Sequence, residues 1–422
     1  MERFVIEGGK PLSGSVRVQG SKNATLPILA ATVLAEGIHR IENVPGLTDI
    51  FAMCQILESL GAKIVRERST LYVDTRNIER HCIPEHLMRQ IRSSVFLMGP
   101  LLARLQRVHV TKPGGCNIGA RPIDLHLKGL AMLGTEIVET DGIIQCEAPK
   151  LTGTHIPLAF PSVGATENIM MAAVCAEGET VIENAACEPE IVDLATYLTK
   201  MGAQIEGAGT PEIRIIGVDH LTAASHQVMS DRIAAGTFAI ASAITRGELV
   251  MKGIKEAEME GLAAHLEPLG VHFRPDPEGI RVKAGSSIRP ASELVTKPFP
   301  GFPTDMQPQT MVLLALAEGE SRVTENIFER RLKHVHELKK MGADMHLNGC
   351  TVTIRGVKRL KGAEVFASDL RSGAALVIAG LAACGRTVVH GVHHIDRGYE
   401  PMEETFQQLG GNIKRIKKDA EQ

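Results

Sequence analysis

"SVGATENIMMAAVCAEGETVIENAACEPEIVDLATYLTKMG", residues 162–202, carries one complete structural unit. An Ala- and Met-rich apolar run ends at Gly178, the β-branched stretch "TVIENA" follows, and an amphipathic segment closes at Met201-Gly202. The pattern predicts a buried helix capped by Ser162, then a strand, then a second helix stopped by glycine.

The same order recurs along the chain. Leu or Met followed by Gly stands at Leu60-Gly61, Leu133-Gly134, Met201-Gly202, Leu269-Gly270, Met341-Gly342 and Leu409-Gly410, with 73, 68, 68, 72 and 68 residues between successive glycines. A repeat of this length means stacked copies of one supersecondary unit. Apolar runs such as "NATLPILAATVLAEG" and "QPQTMVLLALAEG" end at Gly37, Gly178, Gly247, Gly319 and Gly385. Sixteen residues before each stand Ser21, Ser162, Asp231, Pro303 and Asp369, four of which are good N-cap types. Strands follow in "HRIENV", "SRVTENI" and "TVVHGV", and one or two further strands after each second helix.

Six α/β units divide most simply into two domains of three, with a boundary near "HQVMSDRI". Helices starting at equivalent points would aim several positive N-termini at the space between the domains, a setting that favours anions.

The second copy breaks the pattern. "RLQRVHVTK" puts Gln106 where the helix-ending glycine belongs, and 28 residues separate it from Gly134 against 23 to 25 in the other copies. The surplus falls in "PGGCNIGARP", around Cys116. A single cysteine in such a loop is more often incidental than catalytic. The added length and the following Arg121-Pro122-Ile123-Asp124 point toward function, and Lys112 and Arg121 would stabilise a thiolate. Lys22 and Asn23 open the first helix, and Arg92, Asp305 and Arg371 stand two residues past the equivalent start in the second, fifth and sixth. Alone, each reads as a solvated cap or a surface ion pair; together they suggest one shared site.

Composition excludes other classes. Lys plus Arg number 46 and Asp plus Glu 49, so no global field draws the chain to nucleic acid or membrane. The start lacks a secretory pattern and no apolar run reaches about 18 residues, which predicts a cytoplasmic protein. Eight cysteines without a C-x-x-C pair indicate neither a zinc site nor a disulfide framework, and most read as small buried hydrophobes. With no Trp and three Tyr, a sugar or nucleotide would be held by hydrogen bonds and charge rather than by stacking. Neither G-x-G-x-x-G nor a P-loop occurs.

"GSKNATLPILAA", "PGGCNIGARPIDLHLKGL", "SVGATEN", "EPEIVDLA", "DRIAAGTF", "FPTDMQ" and "HIDRGYE" together resemble the UDP-N-acetylglucosamine 1-carboxyvinyltransferase family of enolpyruvyl transferases, in order and over nearly the whole chain. The resemblance implies two inside-out α/β domains of three units each, 22–229 and 1–21 plus 230–422, with the active site in the interdomain cleft. It implies transfer of the enolpyruvyl group of phosphoenolpyruvate to the 3-hydroxyl of UDP-N-acetylglucosamine, by addition and then elimination of phosphate, as the step that opens peptidoglycan precursor synthesis. By resemblance Cys116 is the proton donor and the target of fosfomycin-type epoxides, and Asp305 is the base. Lys22, Arg121 and Arg397 would clamp phosphoenolpyruvate, with Arg92, Arg331 and Arg371 as further cations, and Asn23 would hold the reacting centre. Arg121, Pro122, Ile123, Asp124 and Leu125 would surround the uridine, Ser162, Val163 and Gly164 the diphosphate, and Asp305 and Ile327 the sugar. No cofactor and no metal are expected, the partners are the two small-molecule substrates and neither nucleic acid nor membrane, and a monomer is favoured.

Two departures stand out. "FERRLKHV" has Arg330 and Leu332 where the family usually has Asn and an aromatic, which leaves open whether Arg330 or Arg331 enters the site. Ser21 replaces the commoner Ala and is shared with 3-phosphoshikimate 1-carboxyvinyltransferase, the nearest alternative; a catalytically silent UDP-sugar-binding paralogue is the other.

Overall fold

In the computed structural model, residues 2–114, 118–120 and 122–417 are described. The chain forms two compact units: Gly20–Gly115 with Arg121–Met229, and Met1–Gln19 with Cys116–Ala120 and Ser230–Gln422. Among the described residues each unit contains three small sheets and seven α-helices.

The first helix of each repeat forms the core. Arg232–Ile244 is buried along its whole length, and Val163–Ala173 and Leu370–Ala382 nearly so. A helix apolar on every face requires cover all round. The sheets supply it with one face only: strands such as Glu179–Glu183 and Arg386–His390 alternate outward and inward residues. Two separate clusters result, one around Ile28, Met170 and Leu194, the other around Ile240, Leu313 and Leu376. Each fully buried Leu, Ile or Met contributes about 1.5–3 kcal/mol of burial.

The expected caps form. Ser21 accepts from the Ala24 amide at 3.3 Å, Ser162 from Ala165 at 3.4 Å, and Asp231 from Ile233 and Ala234 at 2.9 Å. Asp369 accepts from Arg371 and Ser372, both at 3.1 Å, while Pro303 opens a 3-10 turn without a side-chain bond. The repeated Leu/Met-Gly glycine is left-handed in all six copies, with φ of 118° at Gly61, a conformation in which a Cβ would be strained. Gln106 occupies the second copy's first helix end in the same conformation, φ 61°. That copy starts one residue later than expected, since Arg92 stands one residue and not two past the N-cap: Ile91 is the N-cap and Arg92 the first residue of the 3-10 turn Arg92–Leu97.

Five of the six repeats build a four-stranded sheet alike. The strand after the core helix pairs antiparallel with one neighbour and parallel with a short strand on its other side, as Glu179–Glu183 does with His155–Pro157. The chain start and the 225–227 stretch complete sheets distant in sequence. Ser13–Arg17 lies parallel to Glu248–Lys252, and Ser225–Gln227 to Ile38–Glu42. Glu2–Glu7 runs antiparallel between Arg386–His390 and Asn412–Lys417, filling the place of a hairpin strand that the sixth repeat lacks. The second repeat has a three-stranded sheet, its parallel partner reduced to a single bridge from Cys82 to His109.

The cysteines depart from expectation. Among the described ones only Cys146 is fully buried, while Cys82, Cys350 and Cys384 are exposed. The exposed three lie in short connecting or strand-edge segments, which cover little surface. Burial pushes the Cys54 and Cys146 thiols up to about 12, which leaves them unreactive. Among the described residues no helix is long and apolar enough to cross a membrane.

Candidate functional site

In the unit built around residues 230–417, three of the expected residues meet. Asp305 lies on the 3-10 turn Thr304–Met306 and Arg371 is the second residue of Leu370–Ala382. Arg331 precedes the helix His334–Lys340. Arg371 donates to Asp305 Oδ2 from Nε at 3.2 Å and from Nη2 at 2.9 Å, and Arg331 Nη2 reaches Oδ1 at 2.8 Å. The guanidiniums are 2% and 3% exposed and the carboxylate 27%, so both cations are spent beneath the one carboxyl that reaches the surface. Arg371 lies over the Tyr399 ring and Arg331 over Phe328. Arg330 is exposed, so Arg331 is the arginine that turns inward.

Sequence reasoning missed what aims this group. Glu325, 2% exposed, accepts from Thr304 Oγ1 at 2.8 Å and Thr296 Oγ1 at 2.9 Å. It also accepts the amides of Ile327 at 2.8 Å and Phe328 at 3.1 Å. One carboxylate thus fixes both the turn bearing Asp305 and the backbone of Ile327. The signal was present: "TEN" at 324–326 aligns with "IEN" at 41–43 and 182–184, where the glutamates are surface strand ends. Of these three glutamates only that of the fifth copy is buried.

His334 sits fully buried behind Arg331, its Nδ1 3.1 Å from the Arg331 carbonyl. Burial drives its imidazole down to about 4, against the pull of Asp369, so the ring is neutral at pH 7. Arg397 is half-buried in the turn after Val392–Ile395. Gln19 grips the next residues from both sides, donating to the Gly398 carbonyl at 3.0 Å and accepting the Glu400 amide at 2.8 Å. Burial, then His393 and Arg397, lower the basicity of His394.

Cys116 and Arg121 lie outside the described residues. Of the loop between them, Ala120 donates its amide to Glu329 at 2.6 Å, and the Arg330 amide donates to the Ile118 carbonyl at 2.9 Å. The Ala120 bond is the main cause holding the Glu329 carboxyl below its ordinary value.

In the other unit, Lys22 and Asn23 open the helix Lys22–Ala31, and Lys22 Nζ lies 3.4 Å from the buried Asp49 carboxylate. Pro27 has no amide proton to return to the Asn23 carbonyl, so this first turn departs from a regular helix. Arg92 Nη2 donates to the Pro122 carbonyl at 3.2 Å. Asp124 and Leu125 begin the helix Asp124–Met132, behind the buried Ile123. Ser162, Val163 and Gly164 form the start of Val163–Ala173. A Cβ on Gly164 would meet the His126 and Phe96 rings at 3.1 Å, so glycine lets this helix start lie against the 124–132 helix. Buried Asn168 locks that packing, with its amide nitrogen 3.0 Å from His126 Nδ1 and its oxygen accepting the Gly99 amide at 2.7 Å.

Further along that helix, both Glu167 oxygens are buried without a partner among the described residues. Burial first, then Glu190 and Glu188, pushes its carboxyl well above the usual range. Within each unit, then, carboxylates and cations gather at helix starts, the arrangement that recognises anions and moves a proton.

A family model described as EPSP synthase (3-phosphoshikimate 1-carboxyvinyltransferase) matches residues 6–406. A UDP-N-acetylglucosamine 1-carboxyvinyltransferase 2 of Caldanaerobacter subterraneus subsp. tengcongensis is 50% identical, over 99% of this chain and 100% of its own. A UDP-N-acetylglucosamine 1-carboxyvinyltransferase of Geotalea uraniireducens is 48% identical, over 99% and 100%. Among solved structures, the enolpyruvyl transferase NikO from Streptomyces tendae matches with a TM-score of 0.88 at 25% identity, over 98% of each chain.

Proposed function

The chain belongs to the UDP-N-acetylglucosamine 1-carboxyvinyltransferases of the enolpyruvyl transferase family, and from that premise we propose how its own residues carry the reaction. The enzyme moves the enolpyruvyl group of phosphoenolpyruvate to the 3-hydroxyl of UDP-N-acetylglucosamine and releases phosphate, opening peptidoglycan precursor synthesis. The observation that carries this acceptor over shikimate 3-phosphate is the half-identity, over full length, to proteins bearing that activity's name. The inserted Cys116 stretch supports the same choice.

In the addition step the sugar oxygen bonds to C2 of phosphoenolpyruvate and a proton arrives at C3. In the elimination step the C2–O bond to phosphate breaks, C3 loses a proton and the double bond returns. Cys116 delivers the first proton, and Asp305, held in one orientation by Arg331 and Arg371, takes the proton of the sugar hydroxyl. The donor carries about three negative charges, and Lys22, Arg121 and Arg397 neutralise them, with Arg92 in support. Asn23 holds the reacting centre. Residues 121–125 hold the uridine, the helix start at Ser162, Val163 and Gly164 receives the diphosphate, and Ile327 packs against the sugar. We assign the protein to the cytoplasm and expect an epoxide of the fosfomycin type to alkylate Cys116.

Phosphate release measured with each acceptor tests the activity. Intact-mass labelling by the epoxide tests the cysteine: labelling that survives Cys116→Ser would overturn its assignment.

A further inference from the structure

His81, Cys82 and His109 offer three donor atoms, two imidazole nitrogens and a thiol sulfur, that all lie within 4.8 Å of one another. Cys82 Sγ is 3.4 Å from His109 Nδ1, and the two imidazole rings stand edge to face with centroids 4.9 Å apart. None of these residues belongs to the machinery above.

The backbone holds the three together. Cys82 and His109 form the single parallel bridge that stands in for the second repeat's missing short strand. The His109 amide donates to the His81 carbonyl at 2.9 Å, and the Ile83 amide to the His109 carbonyl at 3.2 Å. Three donors sit on one hydrogen-bonded patch, so little chain entropy opposes bringing them to a common ion. Cys82 is exposed and both histidines are partly so, which leaves a way in for an ion and room for water as a fourth ligand.

The dimensions fit a tetrahedral centre. With Zn–N near 2.0–2.1 Å and Zn–S near 2.3 Å, the edges of the tetrahedron are about 3.3–3.6 Å. The Cys82–His109 edge already has that length, and the widest pair closes by about 1.3 Å on rotation of exposed side chains. Two imidazoles and a thiolate suit a borderline thiophilic cation rather than Mg²⁺ or Ca²⁺. We propose that His81, Cys82 and His109 form a zinc-class metal site in which three side chains and one water bind a divalent cation. Cys82 gives up its thiol proton to solvent on binding, and no redox change is involved.

The position suggests its effect. Residues 81–83 lead into the helix Glu85–Met88 and so to Arg92, and the strand Arg107–Thr111 leads into the loop that begins at Lys112. A metal here would staple these two approaches together. The sequence concealed it because the donors are a contiguous pair and a residue 27 positions away, with no spacing motif.

The test is a Co²⁺ titration of the full-length protein, read by thiolate-to-cobalt charge-transfer absorption, with Zn²⁺ as competitor. One Co²⁺ per chain at this site is expected, with the band lost in Cys82→Ser and the Zn²⁺ affinity reduced at least about tenfold in His81→Gln and His109→Gln. No band in the parent, or an undiminished band in Cys82→Ser, overturns the proposal. Should the histidine variants not fold, alkylation of Cys82 mapped by peptide mass in the parent decides: Zn²⁺ must slow it, and equal rates with and without Zn²⁺ overturn the site.

Discussion

Removing Glu325 should disorder the turn that presents Asp305 and the backbone of Ile327 while leaving the proposed anion clamp of Lys22, Arg121 and Arg397 untouched. Glu325→Ala strips the acceptor from the Ile327 and Phe328 amides and from the Thr296 and Thr304 hydroxyls. The hydroxyls can re-aim, and Thr296 already reaches the Thr324 carbonyl at 3.5 Å, so the two amides dominate the loss. Hydrogen bonds to a charged group are worth about 1.5–3 kcal/mol each, giving about 3–6 kcal/mol before relief of burying the carboxylate, and about 2–5 after it. Glu325→Gln keeps one oxygen for the three donors on Oε1 and turns its amide toward the Thr304 oxygen, at a cost of about 1–2 kcal/mol. Amide exchange at Ile327 and Phe328 should therefore accelerate by about 30-fold or more in the Ala variant and by about 5- to 30-fold in Gln. Turnover should follow the same order, with kcat falling more than KM rises, because the turn carries the proposed base and not the main anion clamp. If the Ala variant exchanged these amides within about threefold of the parent, Glu325 would not be the strut described here.

Three further outcomes follow from the same geometry. Asp305→Asn should lower kcat by about 10²–10⁴-fold in the phosphate-release assay, while thermal unfolding shows that the chain still folds. His334 is buried neutral with its acidity set at about 4, so the unfolded chain binds its proton first as pH falls; stability is retained above about 6.5 and lost progressively down to about 4, by about 3 kcal/mol. Urea unfolding across that window should show a smaller fall in His334→Gln than in the parent. Gly202→Ala, at φ 110° with the His220 carbonyl oxygen in ordinary contact at 3.9 Å, should lower stability by about 1–2 kcal/mol without touching turnover.

The repeat was legible because its punctuation is local chemistry. Leu or Met before a left-handed glycine, and Ser or Asp at a helix start, are demanded by backbone geometry wherever the sequence sits, and even Gln106 took the conformation its alignment required. The pairing of Glu2–Glu7 with strands near the far end of the chain has no local signature, since an edge strand is chosen by the sheet that lacks one. The candidate site residues at helix starts stood out as charge that the repeat's packing does not call for. Their supports did not: Glu325, Gln19 and His334 act through burial and through partners distant in sequence, and the glutamate of "TEN" looks like those of the two "IEN" copies until its neighbours are known. The burial of Arg331 rather than Arg330 likewise depended on which side of one turn faces the core. Cysteine burial was overestimated because composition does not distinguish a core position from a strand edge.

The acceptor is the central claim, and phosphate release from phosphoenolpyruvate measures it most directly. With purified full-length protein, UDP-N-acetylglucosamine should drive stoichiometric release, and shikimate 3-phosphate should leave the background rate unchanged. Release with shikimate 3-phosphate alone, or tight binding of the UDP-sugar with no release at all, would contradict the account.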